Sequence, residues 1–308
     1  MIRFIKNWTL PIAMLLGGIT YPLTQYLEFS LPYLIFFMLL CTFCKIPLKQ
    51  LHFEPLHGWL IAIQVLAPVL VFALLYPFNK LVAEGTMVCV IAPTATAAAV
   101  ITGKLGGSVP SLTTYTLISS MLTAICVPIY FPYMISLPPI IDVPIQESFL
   151  ASVGSIMAHV FPLLIGPFIA ACFIRKYLPK LNTKIISVKD ATFYMWGVAL
   201  AIVTAVTIKS LVESNVDLRT EILVALSGLV VCCLQFFFGK EIGSIYNNRI
   251  SGGQALGQKN TIIAIWIALT YLNPIASLGP GSYVLWQNII NSWQLWKKRR
   301  ADTESSGL

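Results

Sequence analysis

Apolar runs of about twenty residues recur along the whole chain, and this feature restricts the fold more than any other. A helix that crosses the hydrocarbon core of a bilayer needs about 20 apolar residues. Hydrophobic residues make up 57% of the 308 residues and charged residues only 10%. A water-soluble protein of this length needs more polar surface than that to cover its core. The chain is therefore predicted to be an all-α integral membrane protein.

Ten transmembrane helices are predicted, with boundaries taken from the apolar runs. The predicted spans cover residues 8–27, 30–46, 57–77, 84–104, 111–134, 148–174, 190–211, 220–239, 250–272 and 276–296. The seven cysteines all fall inside such runs. We interpret them as small buried hydrophobic residues rather than as disulfides or metal ligands.

Basic residues are distributed unevenly between the predicted loops. Ten spans place both termini on one side of the membrane, and most of the 20 Lys and Arg residues fall on that side. The positive-inside rule predicts that this side is the cytoplasm, so we expect a multi-pass protein of the plasma (inner) membrane with both termini cytoplasmic. The net charge of +8 then reflects contact with anionic lipid headgroups, and no nucleic acid partner is predicted.

The fourth and ninth spans are interrupted by polar and glycine-rich residues, "APTATAAAVITGKLGG" and "SGGQALGQKN". Each is the second-to-last span of a set of five, and two sets of five must be inserted in opposite directions. Interrupted helices at matching positions of inverted repeats mark the binding site of secondary transporters. We therefore predict two inverted five-helix repeats whose discontinuous helices 4 and 9 cross near the bilayer centre. Pro93 and Gly257 are expected close to the breaks.

Lys259 is a lone charged residue in the ninth span, and the nearest acidic residue along the chain is Glu241. Ionisable residues inside a membrane are functional candidates. The alternative interpretation is a lysine that extends to the membrane interface.

Other polar residues in the spans are candidates for ion or substrate binding. Gln254 and Gln258 lie four residues apart, on one face of a helix. His159 is a lone polar group in span six, either a substrate contact or a hydrogen-bonded interior histidine. Four hydroxyl residues share a face of span five, where helix packing by small residues is the alternative. They are Thr113, Thr116, Ser120 and Thr123.

The ten-span pattern and the segments "APTATAAAV" and "GQALGQKN" resemble the bile acid–sodium symporter family. The resemblance implies a core domain at about 57–137 and 220–296, with the two discontinuous helices, beside a panel domain at about 8–46 and 148–211. It implies transport of organic anions, bile acids or smaller carboxylates, usually with two sodium ions. The expected substrate-binding residues are Pro93, Thr94, Thr96, Asn260 and His159. The expected ion or coupling residues are Lys259, Gln258, Thr116, Gln64 and Gln254.

Several ion ligands of that family are replaced in this chain. Its Ser-Asn pair at the first crossover corresponds to Ala98 and Ala99, and its Glu and Gln at the second crossover correspond to Ala255 and Lys259. These replacements remove oxygen ligands that a sodium ion needs. We therefore predict that Lys259 is a built-in cation in place of sodium, with no cofactor. Because the sodium ligands are replaced, transport is expected to be sodium-independent. Burial disfavours the charged form of an amine, so Lys259 is also expected to be able to bind and release a proton, and transport would then be proton-coupled.

Two alternatives remain open. One is a sodium-coupled organic anion symporter of the same fold, and the other is a membrane sensor that binds without transporting. An intramembrane enzyme is not expected, because such sites need carboxylates or paired histidines inside the spans. We place all twelve Asp and Glu residues in loops or tails, so no catalytic residue and no metal site are predicted.

Overall fold

The computed structural model describes residues 2–46, 51–136, 149–188 and 190–305. Residues 137 and 148, at the expected ends of the core and panel segments, lie outside these ranges. In chain order the α-helices are α1 (Ile2–Ile19), α2 (Tyr21–Thr24), α3 (Leu31–Lys45), α4 (Pro55–Leu75), α5 (Lys80–Ile91), α6 (Ala98–Leu105), α7 (Val109–Ser136), α8 (Phe149–Tyr177), α9 (Pro179–Ser187), α10 (Ala191–Val212), α11 (Leu218–Ile245), α12 (Arg249–Gly257), α13 (Thr261–Tyr271) and α14 (Leu278–Ser305). Short 3-10 helices cover Gln25–Ser30 and Pro274–Ser277. The described residues contain no β-strand, so the all-helical prediction is confirmed for them.

Six helical stretches of the described residues are long and apolar enough to cross a membrane. They are Tyr21–Lys45, Pro55–Leu75, Val109–Met134, Phe149–Tyr177, Ala191–Val212 and Leu218–Ile245. The last five each overlap one predicted span, whereas Tyr21–Lys45 covers the second predicted span together with the end of the first. The predicted fourth and ninth spans are absent from this set because each is divided into two helices of twelve residues or fewer. A helix of that length is too short to cross the hydrocarbon core alone.

Unit 1 of the chain comprises Met1–Pro47, Thr123–Leu218 and Ile262–Ser277. In it, α1 packs against α10, and α3 packs against α8 and α10. A side chain at Gly17 would overlap the backbone of Ala201, so only glycine permits this approach of α1 to α10. Arg175 donates from Nη2 to the carbonyl oxygen of Phe43 at 2.9 Å, which places a cation at the negative C-terminal end of α3.

Unit 2 comprises Leu48–Leu122, Arg219–Thr261 and Leu278–Leu308. Here α5 packs against α4 and α14, and α12 packs against α4 and α6. Two close helix contacts depend on glycine. A side chain at Gly279 would lie 2.6 Å from the carbonyl oxygen of Gly85, and one at Gly252 would overlap the backbone of Gly239. Close packing of this kind is typical of helices in membranes.

Two expectations from the sequence are wrong. The acidic residues are not confined to loops and tails, because Glu84 lies within α5, is only 4% exposed, and has Lys80 Nζ 3.9 Å from its Oε1 atom. Glu221 and Glu241 likewise lie within α11, and Glu84 and Glu221 already stood at the first two positions of predicted spans. The cysteines are not all buried either, since Cys233 is exposed on the same helix.

Candidate functional site

Two breaks between helices lie in unit 2 and meet each other. Residues 92–97 separate α5 from α6, and residues 258–260 separate α12 from α13. Pro93 lies in the first break, and Gly257 is the last residue before the second. The predicted interruptions of the fourth and ninth spans are therefore confirmed at the predicted residues.

The two breaks are joined backbone to backbone. The amide of Ala95 donates to the carbonyl oxygen of Gln258 at 2.8 Å, and the amide of Asn260 donates to the carbonyl oxygen of Pro93 at 2.7 Å. An isolated antiparallel bridge forms between the two segments. Each unwound segment thus satisfies part of the other's free backbone, which an interior without water requires.

Lys259 lies at this meeting point and is only 1% exposed. Its Nζ atom donates to the carbonyl oxygens of Val90, at 2.9 Å, and Ala92, at 3.0 Å. Val90 lies in the last turn of the half-helix α5 and Ala92 directly follows that helix, where the helix dipole places partial negative charge. The amine therefore caps a broken helix and does not extend to an interface, which excludes the alternative interpretation of this lysine.

The other carbonyls at this helix end accept from amide side chains. Pro93 has no N–H to offer the carbonyl of Cys89, and Gln235 Nε2 donates to that oxygen at 3.3 Å instead. Gln64 Nε2 approaches the carbonyl oxygen of Ile91 at 3.5 Å. The carbonyl oxygens of residues 89–92, at the end of the broken helix, thus accept hydrogen bonds from one amine and two amides. Buried backbone carbonyls are nearly always paired in this way.

The second break is held by α14. The backbone amide of Lys259 donates to Gln287 Oε1 at 2.8 Å, and the Tyr283 hydroxyl donates to the carbonyl oxygen of Gly257 at 2.8 Å. A side chain at Gly257 would overlap the ring of Phe236. The position of Lys259 is therefore fixed from two sides, by its amine and by its backbone.

Thr94 ties the first break to α12 through its side chain and to α7 through its backbone. Its Oγ1 donates to the carbonyl oxygen of Ala255 at 2.7 Å, and its amide donates to Ser119 Oγ at 2.9 Å. The side chain is 1% exposed, so it is a structural tie of the crossover. Thr96 and Asn260 are only partly buried, and of the predicted substrate-binding residues in unit 2 they are the more accessible.

Alanines fill two positions where the family resemblance places ion ligands. Ala98 is 0% and Ala255 1% exposed. They pack in one hydrophobic cluster that includes Leu60, Leu112 and Tyr115. Apolar packing therefore occupies this part of the crossover instead of a set of oxygen atoms.

Gln64 and Thr116 lie buried beside that cluster. Gln64 accepts a hydrogen bond from the Tyr115 hydroxyl at 2.7 Å and donates to the carbonyl oxygen of Ser119 at 3.2 Å. Thr116 donates to the carbonyl oxygen of Leu112, one turn back along α7, at 2.9 Å. Both side chains thus support the helices around the crossover.

The remaining candidates have different surroundings. Gln254 Nε2 donates to Asn291 Oδ1 at 2.9 Å, whereas the Oε1 atom of Gln258 is buried with no hydrogen-bond partner among the described residues. His159 belongs to unit 1. It is exposed, with Nδ1 2.8 Å from the carbonyl oxygen of Ser155, so it is hydrogen-bonded as its alternative role predicted, but it is not interior.

The polar residues of α14 and α11 were not among the candidates predicted from the sequence. Gln287 and Asn291 contact the crossover or its neighbours, and Gln235 caps α5. The signal was present in the sequence, because polar residues four apart in an apolar run indicate a buried polar face.

A family model described as the sodium bile acid symporter family matches residues 32–216, more than half of the chain. The match includes the first break and ends before Lys259. Among curated proteins, none matches the chain. The matched family consists of membrane transporters rather than enzymes, and its character agrees with the long apolar helices. This multi-pass membrane transporter belongs to the sodium bile acid symporter family.

Proposed function

We propose that this protein is a secondary transporter that moves a small or amphipathic organic anion by alternating access, with Lys259 in the place of a sodium ion. The observation that carries the proposal is the pair of hydrogen bonds from Lys259 Nζ to the carbonyl oxygens of Val90 and Ala92. Carbonyl oxygens at the C-terminal end of a broken helix are the ligands that transporters use for a coupling cation. Here a side chain of the protein occupies them.

The proposed architecture is ten spans in two inverted repeats, with α5–α6 and α12–α13 as the discontinuous helices. Its support is that both are pairs of short helices whose breaks contact each other. In this arrangement residues 57–137 and 220–296 form the core domain, and residues 8–46 and 148–211 form the panel domain. We further propose a location in the plasma (inner) membrane with both termini cytoplasmic, on the strength of the loop charges.

The proposed substrate is an anion because two helix N-termini follow the breaks. α6 begins at Ala98 and α13 at Thr261, and the first N–H groups of a helix carry partial positive charge. Thr96 and Asn260 are the accessible polar residues at these positions. In this proposal Lys259 contributes to coupling and does not contact the substrate directly. Its amine bonds to carbonyl oxygens at the negative C-terminal end of α5 and not to the positive N-terminal ends of α6 and α13.

Uptake into proteoliposomes tests this proposal. Taurocholate and a series of small carboxylates are offered with sodium or with choline outside, at equal chloride concentration. We expect equal uptake in the two salts by the unmodified protein and loss of uptake in Lys259→Gln. Lys104→Gln is the matched control, because Lys104 is exposed on α6. Uptake of organic cations or neutral sugars alone would contradict the anion assignment.

Dependence on pH separates the two forms of the proposal. If Lys259 releases its proton when the substrate leaves, uptake is proton-coupled and a pH gradient drives it. If Lys259 keeps its charge, uptake is insensitive to both sodium and pH. The double variant with Lys259→Gln and Ala255→Glu tests whether sodium dependence of uptake can be restored. These two changes return ligands at the second crossover only, because Ala98 and Ala99 still stand in place of ion ligands at the first.

Sodium-coupled symport is the second candidate, and one observation favours it beyond the family itself. The Oε1 atom of Gln258 is buried without a hydrogen-bond partner in the described part of the chain, and an amide oxygen of this kind can ligate a cation. Backbone carbonyls with Thr116, Gln258 and Asn260 would then hold the ion. Strict dependence of uptake on sodium would establish this candidate and overturn the first.

A further inference from the structure

Buried amide side chains form a row on one face of α14 in unit 2. Gln287, Asn291 and Gln294 are each at most 9% exposed. Their spacings of four and three residues place them on a single face of the helix. Burying an amide is unfavourable unless its atoms are hydrogen-bonded, so this face must meet polar partners.

Two members of the row contact the α12 side of the crossover. Gln287 Oε1 accepts from the backbone amide of Lys259 at 2.8 Å. Asn291 Oδ1 accepts from Gln254 Nε2 at 2.9 Å. The row therefore begins beside Lys259 and continues along α14 towards its C-terminal end.

Among the amides of the row and the two glutamines that precede Lys259, three buried atoms have no hydrogen-bond partner in the described part of the chain. They are Gln254 Oε1, Gln258 Oε1 and Gln294 Nε2. Two of these atoms accept hydrogen bonds and one donates, so a single type of ion would not satisfy all three. A buried water molecule both donates and accepts, and typically makes about three hydrogen bonds to such groups.

We propose that water enters along Gln294 and Asn291 from the C-terminal end of α14 and reaches the crossover beside Lys259. Gln294 lies seven positions after Gln287 on the helix, which corresponds to a path of about 10 Å. α14 continues into the basic segment 297–300, where exposed side chains meet water.

Such a path gives the proton of Lys259 a route, and this use rests on the proposed function. The N–H bond of the ammonium breaks, and water takes the proton as hydronium. Cys89 of α5, Cys232 of α11 and Tyr283 of α14 are titratable side chains beside the crossover and share one cluster. Tyr115 of α7 packs with Ala98 and Ala255, and Lys240 of α11 packs against Gly253. None of these is a residue of α14 between Gln287 and Gln294, and the carrier in our proposal along this face of α14 is water.

Cysteine accessibility tests the path without any transport measurement. Single cysteines replace Asn291, Gln294 or Val284 in a cysteine-free background of the full chain, reconstituted in liposomes and treated with a charged methanethiosulfonate reagent. Val284 is the matched control, because it is buried and apolar on the same helix. We expect Asn291→Cys and Gln294→Cys to react at least about tenfold faster than Val284→Cys, since a thiol must ionise in water to react.

Equal, slow reaction at all three positions, with full labelling after denaturation, would overturn the proposal. The unmodified protein provides a second measurement that needs no substitution. Hydroxyl radicals generated from internal water by brief irradiation should label buried Tyr283, one turn before Gln287, well above buried Phe131. Labelling of Tyr283 no greater than that of Phe131 would also overturn it. Neither result depends on whether Lys259 couples transport.

Discussion

Replacing Lys259 with methionine removes the amine and keeps an unbranched side chain of similar length. The amine donates to the carbonyl oxygens of Val90 and Ala92 at 2.9 and 3.0 Å. A buried polar group left without its partner costs about 1–3 kcal/mol, so two carbonyls give about 2–6 kcal/mol. The variant also gains stability, because the amine no longer has to be buried. Since the end of α5 already compensates that charge, we expect a net loss of about 1–4 kcal/mol in the free energy of unfolding.

The assay is chemical unfolding in detergent, followed by tryptophan fluorescence. Lys104→Met is the matched control, because Lys104 is exposed on α6 and surface changes of this kind stay within about 0.5 kcal/mol. If Lys259→Met unfolds at the same denaturant concentration as the control, the amine does not stabilise the crossover. Lys259 would then not act as a built-in cation for the carbonyl oxygens at the end of α5.

A small amine provides an independent check of the same contact. Lys259→Ala leaves space where the side chain lay, and propylammonium added to the buffer can reach the freed carbonyl oxygens of Val90 and Ala92. A ligand that binds only the folded state stabilises it in proportion to the logarithm of its concentration. We expect propylammonium to raise the unfolding temperature of Lys259→Ala and not that of the unmodified protein.

Two further predictions concern the tight packing of the breaks. Gly257→Ala should lower the free energy of unfolding by about 1–3 kcal/mol, because its new methyl group would overlap the ring of Phe236; Gly58→Ala, where a methyl group meets nothing within 4 Å, is the control in the same denaturation assay, and equal losses would contradict the packing argument. Thr94→Val removes the hydroxyl that donates to the carbonyl oxygen of Ala255 at 2.7 Å and should lower stability by about 1–3 kcal/mol. Thr94→Ser should retain most of it, and a serine variant no better than valine would show that the hydroxyl is not what matters.

Both helix interruptions could be predicted from the sequence because they depend on local chemistry. Pro93 removes a donor from the helix, and the glycine-rich segment before Lys259 tolerates an open backbone. The structure places the breaks at these residues. An interrupted span is therefore visible as a short polar segment inside an apolar run.

The partners of the freed backbone could not be predicted, because they come from other helices. Gln64 lies 27 residues from Ile91 along the chain and Gln235 lies 146 residues from Cys89. Periodicity shows that a side chain is polar in an apolar environment, but not which distant carbonyl it meets. The same limit explains why the amide row of α14 was missed.

The error over Glu84 has a different cause, which is the position of a helix boundary. The fourth span was expected to start at residue 84, whereas α5 begins at Lys80. A difference of four residues moves Glu84 from the end of a span into a buried turn of helix. Boundaries are the least reliable part of a sequence-based assignment, and here the boundary decided whether a carboxylate was inside the protein.

A tethered cation changes what the transport cycle can do. A sodium ion leaves its site when the substrate leaves, so its gradient can drive transport, whereas Lys259 remains attached to the crossover in every state. The charge at the end of α5 can then change only by loss of a proton. Without that loss, the protein moves the substrate only down the substrate's own electrochemical gradient. With it, the route that we propose for the proton runs along the buried amides from Gln287 to Gln294. The response of uptake to a pH gradient therefore decides between passive transport and proton coupling.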